Sequence, residues 1–300
     1  MQAEAPATRH QPPATVRRGR GVAWRNGTLA RSARILAEEC ALAITYGRAT
    51  HAVMLATPED LEDFAVGFSL SEEVILAPEE ITAFSALPAA GGIELRMDLV
   101  PARASLYVGR RRMMAGPAGC GLCGAESLES VLRPLRSVAA DLVLTAEQVL
   151  QAMAALGRAQ PLNAATHGVH AAGFWTPERD LLAAREDVGR HNALDKLIGA
   201  LARQAIPTAG GMIAMTSRVS LELVQKAVRA GVPILAAISA PSTLAVRLAQ
   251  ASGLTLVAVV RADGFEIFSH PQRIREADPR LSARPVRLPL PAARHRAPPR

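Results

Sequence analysis

The apolar residues in the C-terminal half of the chain form short continuous runs that alternate with amphipathic stretches. Runs at 212–215, 233–238 and 254–260 predict three strands, and amphipathic stretches that end at Gly231 and Gly253 predict the helices between them. Strands that are apolar throughout and alternate with helices occur in parallel sheets covered on both faces. This half is therefore predicted to be an α/β unit built on a layered sheet.

The N-terminal half has shorter patterns of both kinds. Residues 40–46 and 52–56 alternate in polarity and predict a hairpin. Thr57 and Pro58 are typical of a helix N-cap and first turn. The helix that they predict has one apolar face, formed by Leu61, Phe64, Ala65 and Phe68. With a strand at 93–97, this half is predicted to be a smaller α+β part.

Pattern and composition together divide the chain into four parts. Thr145 and Gln148 have the spacing of a capping box, which predicts the first helix of the second unit. The predicted parts are a basic disordered tail at 1–34, the α+β part at 35–140, the α/β part at 141–275, and a Pro- and Arg-rich tail at 276–300.

The basic charge of the chain is concentrated near its ends. The net charge is +7, but residues 1–34 and 271–300 together hold 15 Arg and three acidic residues. The 19 basic and 24 acidic residues that remain give the middle of the chain a net charge of −5. A nucleic-acid-binding fold presents its basic residues on the folded surface, so no nucleic-acid partner is predicted.

Composition also bounds the cellular setting. The 300 residues are 49% hydrophobic, yet no run of 18 apolar residues occurs and the N-terminus lacks the apolar region of a signal peptide. Three cysteines, two of them in a Cys-x-x-Cys, fit a reducing compartment better than a disulfide scaffold. We therefore expect a cytoplasmic protein with no membrane partner.

Two thiols, Cys120 and Cys123, stand in a glycine-rich segment. Arginines at 110–112 precede them and a predicted helix start follows, and both features stabilise a thiolate. A zinc site would need four ligands, but the one other cysteine is Cys40 and the His-x-Glu of a zinc deaminase is missing, so no metal is predicted. A redox dithiol, a persulfide-forming sulfur carrier and a structural thiol pair stay open.

The carboxyl ends of the three C-terminal strands carry polar residues. These ends are Thr216-Ser217-Arg218, Ser239 to Thr243, and Arg261 to Gly264. Ligands of open α/β sheets bind at this edge, and two of the ends lead into helix N-termini that favour phosphate. Arg261 could bind a phosphate and Asp263 could accept the paired N–H groups of a guanine edge. Ordinary turns and helix caps would explain the polar residues of each strand end taken alone. The convergence of all three ends at one edge of the sheet indicates a nucleotide-like ligand.

The segment 185–199 is dense in charged and polar residues between a predicted strand and a predicted helix. Arg190 and His191 could bind an anion or act as acid and base, whereas a salt-bridged turn is the structural alternative. His170 lies in another glycine-bearing loop.

Several separate segments together resemble the FdhD-type formate dehydrogenase accessory sulfurtransferases. They are Gly119-Cys120-Gly121-Leu122-Cys123-Gly124, the run from Glu186 to Lys196, Ser217-Arg218 with Val224-Gln225-Lys226, Thr243-Leu244-Ala245-Val246, and His270-Pro271-Gln272-Arg273-Ile274. The resemblance covers about residues 40–274. Arg185 departs from it, because a cysteine often stands there.

The resemblance implies a cytidine-deaminase-like α/β fold with helices on both faces of the sheet, and a homodimer. It implies that sulfur passes from a cysteine desulfurase through a persulfide on Cys120, with Cys123 as partner, to the molybdenum cofactor of formate dehydrogenase. The guanine-dinucleotide form of that cofactor would be bound by Val259, Val260, Arg261, Ala262, Asp263 and Gly264. We add Arg190, His191, Ser217 and Arg218 to this expected site. A cofactor-binding chaperone that moves no sulfur and a dithiol oxidoreductase are the alternatives.

Overall fold

The computed structural model of the chain describes residues 14–113, 135 and 137–277. The strands are β1 Val16–Arg25, β2 Thr28–Ala37, β3 Cys40–Tyr46, β4 Ala49–Ala56, β5 Ile81–Ala89, β6 Gly92–Leu99, β7 His170–Thr176, β8 Asp180–Asp187, β9 Met212–Met215, β10 Ile234–Ala237, β11 Thr255–Arg261 and β12 Gly264–Ser269. The helices are α1 Leu61–Ser71, α2 Pro101–Met113, α3 Ala146–Arg158, α4 Pro161–Thr166, α5 Arg190–Arg203, α6 Leu221–Arg229 and α7 Thr243–Ala251.

The C-terminal unit is a six-stranded sheet with the strand order β12-β11-β10-β9-β7-β8. Strands β9, β10 and β11 are parallel, as the sequence predicts, while β12, β7 and β8 extend the sheet with antiparallel pairs. Alternate residues of β9 enter two different cores: Ile213 and Met215 pack with α5, α6 and α7, whereas Met212 and Ala214 pack with α3. The predicted α/β class with helices on both faces is confirmed.

The N-terminal unit is a four-stranded sheet with the order β4-β3-β6-β5. One face of this sheet packs on α1, where Leu42 and Leu95 meet the predicted apolar helix face of Phe64 and Phe68. The smaller α+β part that the sequence predicts is therefore present.

Two glycines bring the units together where α1 crosses α5. A Cβ atom on Gly67 would lie 1.8 Å from the carbonyl oxygen of Asp195, and one on Gly199 would lie 1.9 Å from that of Asp63. Because no side chain fits at either position, the two helix backbones are in direct contact. This crossing holds the N-terminal sheet against the C-terminal unit.

The prediction of a disordered segment at 1–34 is wrong for residues 16–34. Strands β1 and β2 form an antiparallel hairpin with Val16 opposite Ala37 and Arg25 opposite Thr28. Asn26 and Gly27 form its turn, with φ of 49° and 80°. Positive φ at both central residues is what a tight hairpin needs, and Asn-Gly is the sequence signal for it. The high arginine content concealed that signal.

The predicted N-cap of α1 is also wrong. The helix begins at Leu61 with Asp60 as N-cap, and no side chain caps it. The Thr57 hydroxyl instead accepts a hydrogen bond from the Val188 backbone N–H at 3.2 Å. The Thr57 hydroxyl, which the local sequence pattern predicts to cap α1, is therefore used instead in a tertiary contact with the segment between β8 and α5. By contrast, the capping box of Thr145 and Gln148 is present as predicted.

No helix among the described residues is both long enough and apolar enough to cross a membrane.

Candidate anion site at the strand ends

The loops that follow the three parallel strands lie side by side. The Ile238 N–H donates to the Met215 carbonyl at 3.0 Å, and the Val259 N–H donates to the Ser239 carbonyl at 3.3 Å. These hydrogen bonds place the polar residues after β9, β10 and β11 along one edge of the sheet. The edge is the one where ligands of open α/β sheets bind.

Four basic side chains converge at this edge. His170 begins β7 opposite Asp187, Arg190 and His191 open α5, and Arg218 follows β9. Burial of the His170 ring lowers its pKa, and the charges of Arg190, Arg218 and His191 lower it further. The cluster therefore repels additional positive charge and favours an anion. We call His170, Arg190, His191 and Arg218 the cationic cluster.

Glu222 contacts His191, one member of the cationic cluster. His191 Nε2 lies 3.0 Å from Glu222 Oε2 and 3.0 Å from Ser220 Oγ. The hydrogen bond from His191 lowers the pKa of Glu222, and the charges of His191, Lys226 and Arg190 act in the same direction. His191 is thus held in place, with its Nε2 engaged. This contact favours a positioning role for His191 over the free acid–base role that the sequence suggested.

Arg190 has an unused donor inside the protein. Its Nε atom is buried and has no hydrogen-bond partner among the described residues. Helix α5, which Arg190 opens, has Gly189 as its N-cap and so has no capping side chain. The N-cap of neighbouring α6 is Ser220, whose hydroxyl does not cap that helix. Buried donors without partners are rare, and a helix N-terminus favours negative charge. An anion at the cationic cluster would accept a hydrogen bond from Arg190 Nε and would interact favourably with the N-termini of α5 and α6.

The backbone of β11 is strained near the carboxyl end of the strand. Val259 has φ of 54°, a region that a β-branched residue rarely adopts, and lies where the β11–β12 register shifts between Ala258 and Arg261. Strain of this kind is concentrated at functional sites. Arg261 Nη1 donates to the carbonyls of Ile238 and Val260, whereas the side chain of Asp263 is exposed.

Several residues from the dense segment 185–199 hold the fold together instead of lining the site. Asp187 accepts hydrogen bonds from the Thr57 and Gly189 N–H groups, from Asn192 Nδ2 and from Lys196 Nζ. The contacts with Thr57, Asn192 and Lys196 are buried, and the one with Gly189 is partly buried. The salt-bridged alternative is therefore correct for this part of the segment.

Two further sequence expectations have structural explanations. Ser217 is 2% exposed, and its hydroxyl donates to the Arg218 carbonyl at 2.9 Å, so it does not point to a ligand. Arg185 Nη2 lies 2.7 Å from Asp63 Oδ2 and links β8 to α1.

Cys120 and Cys123 lie outside the described residues. The structure adds Glu222, whose only sequence signal is an acidic residue in the first turn of a helix.

A cavity of about 380 Å³ lies elsewhere, at the base of the β1–β2 hairpin. Glu59, Asp60 and Glu186 line it, and burial raises the pKa of Glu186. Three carboxyl groups make this cavity unsuitable for an anionic ligand. The strand-end cluster is therefore the better place for a phosphate-bearing molecule.

The fold and the cluster define a mixed α/β protein that presents cationic side chains at the carboxyl edge of a six-stranded sheet. The chain belongs to the FdhD/NarQ family, whose family model matches residues 37–275. The sulfur carrier protein FdhD of Agrobacterium fabrum is 49% identical over 264 residues, which cover 87% of this chain and 97% of the relative. That of Brucella abortus is 51% identical over 247 residues, or 82% and 92% of the two chains.

A solved structure has the same overall fold. The crystal structure of a protein from Desulfotalea psychrophila, described as a formate dehydrogenase accessory protein, superposes with a TM-score of 0.69. It is 26% identical in sequence, and the match covers 87% of this chain and all of the other.

Proposed function

We propose that the chain is a sulfur carrier for formate dehydrogenase maturation, which accepts sulfur from a cysteine desulfurase and delivers it to the molybdenum cofactor. Family membership, the names of the relatives and the Cys-x-x-Cys of the sequence support the sulfur chemistry. The observation that carries the cofactor assignment is the cationic cluster, in which the buried Nε of Arg190 lacks a partner among the described residues.

The first chemical step is a thiol exchange. The Cys120 thiolate attacks the terminal sulfur of the desulfurase persulfide, the sulfur–sulfur bond of the donor breaks, and the donor cysteine leaves as a thiolate. The product is a persulfide on Cys120. Cys40 is unsuited to this step, because burial and the nearby Glu38 charge raise the pKa of its thiol and reduce its thiolate fraction.

Release of the sulfur as sulfide requires two electrons, which Cys123 supplies. Its thiolate attacks the inner sulfur of the Cys120 persulfide, a Cys120–Cys123 disulfide forms, and sulfide leaves for the molybdenum. A cellular dithiol reductant then restores the two thiols by exchange. A persulfide that accumulates in Cys123→Ala but is not turned over would support this role, whereas normal turnover would exclude it.

The cargo is the guanine-dinucleotide form of the cofactor. The diphosphate groups match Arg190 and Arg218, since arginine binds phosphate through charge-assisted hydrogen bonds. Asp263 is exposed at the same sheet edge and can accept the two N–H groups of a guanine edge. A carboxylate selects guanine in this way over adenine, which lacks that pair of donors.

Calorimetric titration of the full chain with GDP, ADP and inorganic pyrophosphate tests the cargo assignment. Asp263→Asn should weaken GDP binding about tenfold while leaving pyrophosphate binding unchanged, because one carboxylate–guanine contact is lost. Glu266→Gln, an exposed acidic residue on β12, is the matched control. Equal GDP affinity in Asp263→Asn and wild type would exclude guanine recognition by Asp263.

A further inference from the structure

The first turn of α6 carries a carboxylate that lies against the cationic cluster. Glu222 is the second residue of α6, and its Oε2 atom lies 3.0 Å from His191 Nε2. Its side chain is 39% exposed. The hydrogen bond from His191 lowers the pKa of Glu222, and so do the charges of His191, Lys226 and Arg190. The carboxylate is therefore ionised at neutral pH, and it is an anion that His191 already contacts in the free protein.

Glu222 is not needed to compensate its neighbour Lys226. Lys226 Nζ lies 2.8 Å from each carboxylate oxygen of Asp195, which is 1% exposed. The positive charge of Lys226 thus has its own partner inside the protein. The charge of Glu222 therefore acts mainly on the cationic cluster.

Glu222 already provides what a bound anion would provide at the His191 end of the cluster. The Ser220 hydroxyl lies 3.0 Å from His191 Nε2 and does not cap α6. Glu222 places a negative charge in the first turn of that helix, where the helix dipole favours it. The same carboxylate accepts a hydrogen bond from His191. A phosphate that approached His191 would therefore find both interactions in use.

The Arg190 end of the cluster is not satisfied in the same way. Arg190 Nε is buried and has no hydrogen-bond partner among the residues that the structure describes. The charges of Arg190 and Glu222 interact, but the carboxylate does not reach Nε. A phosphate that binds Arg190 and extends to His191 must therefore displace Glu222 or lie beside it. Either event weakens binding, because like charges repel.

We propose that Glu222 is an internal competitor that occupies His191 until the phosphate of the ligand displaces it, and that this competition limits the affinity of the site. The inference rests on the proposed function, because it takes the cationic cluster as the place where the phosphate binds. A carrier must release its cargo, so very tight binding would be a disadvantage. The partly exposed Glu222 side chain turns towards solvent when the ligand binds and returns to His191 when the ligand leaves.

A purely structural role of Glu222 predicts the opposite effect of its removal. If Glu222 only holds His191 in position for the ligand, loss of its charge weakens binding. If Glu222 competes with the ligand, loss of its charge strengthens binding. The direction of the change in affinity therefore distinguishes the two roles.

Calorimetric titration of the full chain with inorganic pyrophosphate measures this direction. Glu222→Gln retains the size of the side chain and a hydrogen-bond acceptor for His191 but removes the charge. We expect it to tighten binding about 5- to 10-fold, a moderate effect because water screens a partly exposed charge.

Glu147→Gln is the matched control. Glu147 is the second residue of α3, is exposed, and lies on a helix that packs on the opposite face of the sheet from α6. Its replacement makes the same change in net charge as Glu222→Gln. It should alter the affinity for pyrophosphate less than about twofold, because salt screens a distant exposed charge.

A second substitution tests whether the competition takes place at His191. His191→Leu removes the shared partner, so the Glu222 carboxylate is no longer held at the cluster by a hydrogen bond from the ring. In that background Glu222→Gln should change the affinity less than about twofold. An equal gain in both backgrounds would show that the charge of Glu222 acts without His191 and would overturn the competition. Circular dichroism checks that each variant is folded.

The outcomes for the proposed cofactor site and for the competition are different. Tighter binding in Glu222→Gln that is lost in the His191→Leu background supports the competition. Unchanged or weaker binding in Glu222→Gln would overturn the competition and leave the cofactor site in place. No pyrophosphate binding by the wild type or any variant would contradict the cationic cluster as an anion site, and would overturn the cofactor assignment and the competition together.

Discussion

Asp187 and Lys196 form an ion pair of 2.8 Å in which neither side chain has any exposed surface. Lys196 Nζ also donates to the Thr57 carbonyl at 3.0 Å, and the Thr57 N–H donates back to Asp187 Oδ2 at 3.0 Å. Thr57 belongs to the N-terminal unit. Asp187 is the last residue of β8 and Lys196 lies on α5, so both belong to the C-terminal unit. The pair therefore connects the two units directly beside the cationic cluster.

Removal of one partner should be strongly destabilising, because it leaves an uncompensated buried charge. We expect Asp187→Ala to lower the free energy of unfolding by about 3–5 kcal/mol. Urea denaturation followed by circular dichroism measures this change. Glu94→Gln, which breaks an exposed ion pair with Arg96, should cost no more than about 1 kcal/mol. Similar losses in both variants would contradict the joining role of the buried pair.

The sequence predicts much of the fold because local patterns determine it. Strands β9 and β10 are buried at every position, as their continuous apolar runs predict, and Gly231 and Gly253 end helices with φ of 72° and 70°. The roles of Asp187 and Lys196 could not be predicted in this way. Their partner Thr57 lies about 130 residues away in the sequence. Without the fold, the charged segment 185–199 is therefore as consistent with a binding loop as with a buried ion pair.

The candidate site was predicted only in part. The strand ends converge as expected from the sheet, and Arg190, His191 and Arg218 lie at that edge. The hydroxyl of Ser217 and a guanidinium nitrogen of Arg261 instead bind backbone carbonyls. Such local hydrogen bonds depend on the geometry of the loops. No periodic pattern or residue spacing in the sequence predicts that geometry.

The crossing of α1 and α5 predicts opposite effects of the same substitution at two glycines. Gly199→Ala places a Cβ 1.9 Å from the Asp63 carbonyl oxygen and should destabilise the chain by about 3 kcal/mol or more. Gly157→Ala in α3 meets no atom within 4 Å and should stabilise it by about 0.5–1 kcal/mol, because alanine favours helix. Thermal unfolding of both variants distinguishes them, and a neutral Gly199→Ala would rule out the close backbone contact.

Arg190 should contribute to anion binding more than any exposed arginine does. Arg190→Met is expected to weaken GDP and pyrophosphate binding about 10- to 100-fold, the range for a hydrogen bond to a charged group. Arg247→Met, at an exposed position on α7, should change either affinity less than twofold. Calorimetry provides both values, and unchanged affinity in Arg190→Met would remove the cationic cluster from the site.

His170 should make anion binding depend on pH. Burial and the neighbouring cations lower its pKa, which favours the neutral ring in the free protein. A bound anion raises the pKa again, so binding takes up a proton and the affinity increases as the pH falls from 7 through the ordinary histidine pKa of about 6.5.

Comparison of variants separates this effect from the titration of the phosphate itself. His170→Gln should lose the part of the pH dependence that belongs to the histidine, by at most tenfold in affinity for each pH unit. His270→Gln, at the opposite edge of the sheet, should retain the wild-type profile. Identical profiles in His170→Gln and wild type would show that His170 does not titrate with binding.

Intact mass spectrometry after incubation with a cysteine desulfurase and cysteine tests whether the chain carries sulfur. We expect a sulfur adduct that a thiol reductant removes, that persists in Cys40→Ala and that is lost in Cys120→Ala. An adduct that survives the loss of both Cys120 and Cys123, or no adduct on the wild-type chain, would contradict the sulfur-carrier function and leave a protein that only binds the cofactor.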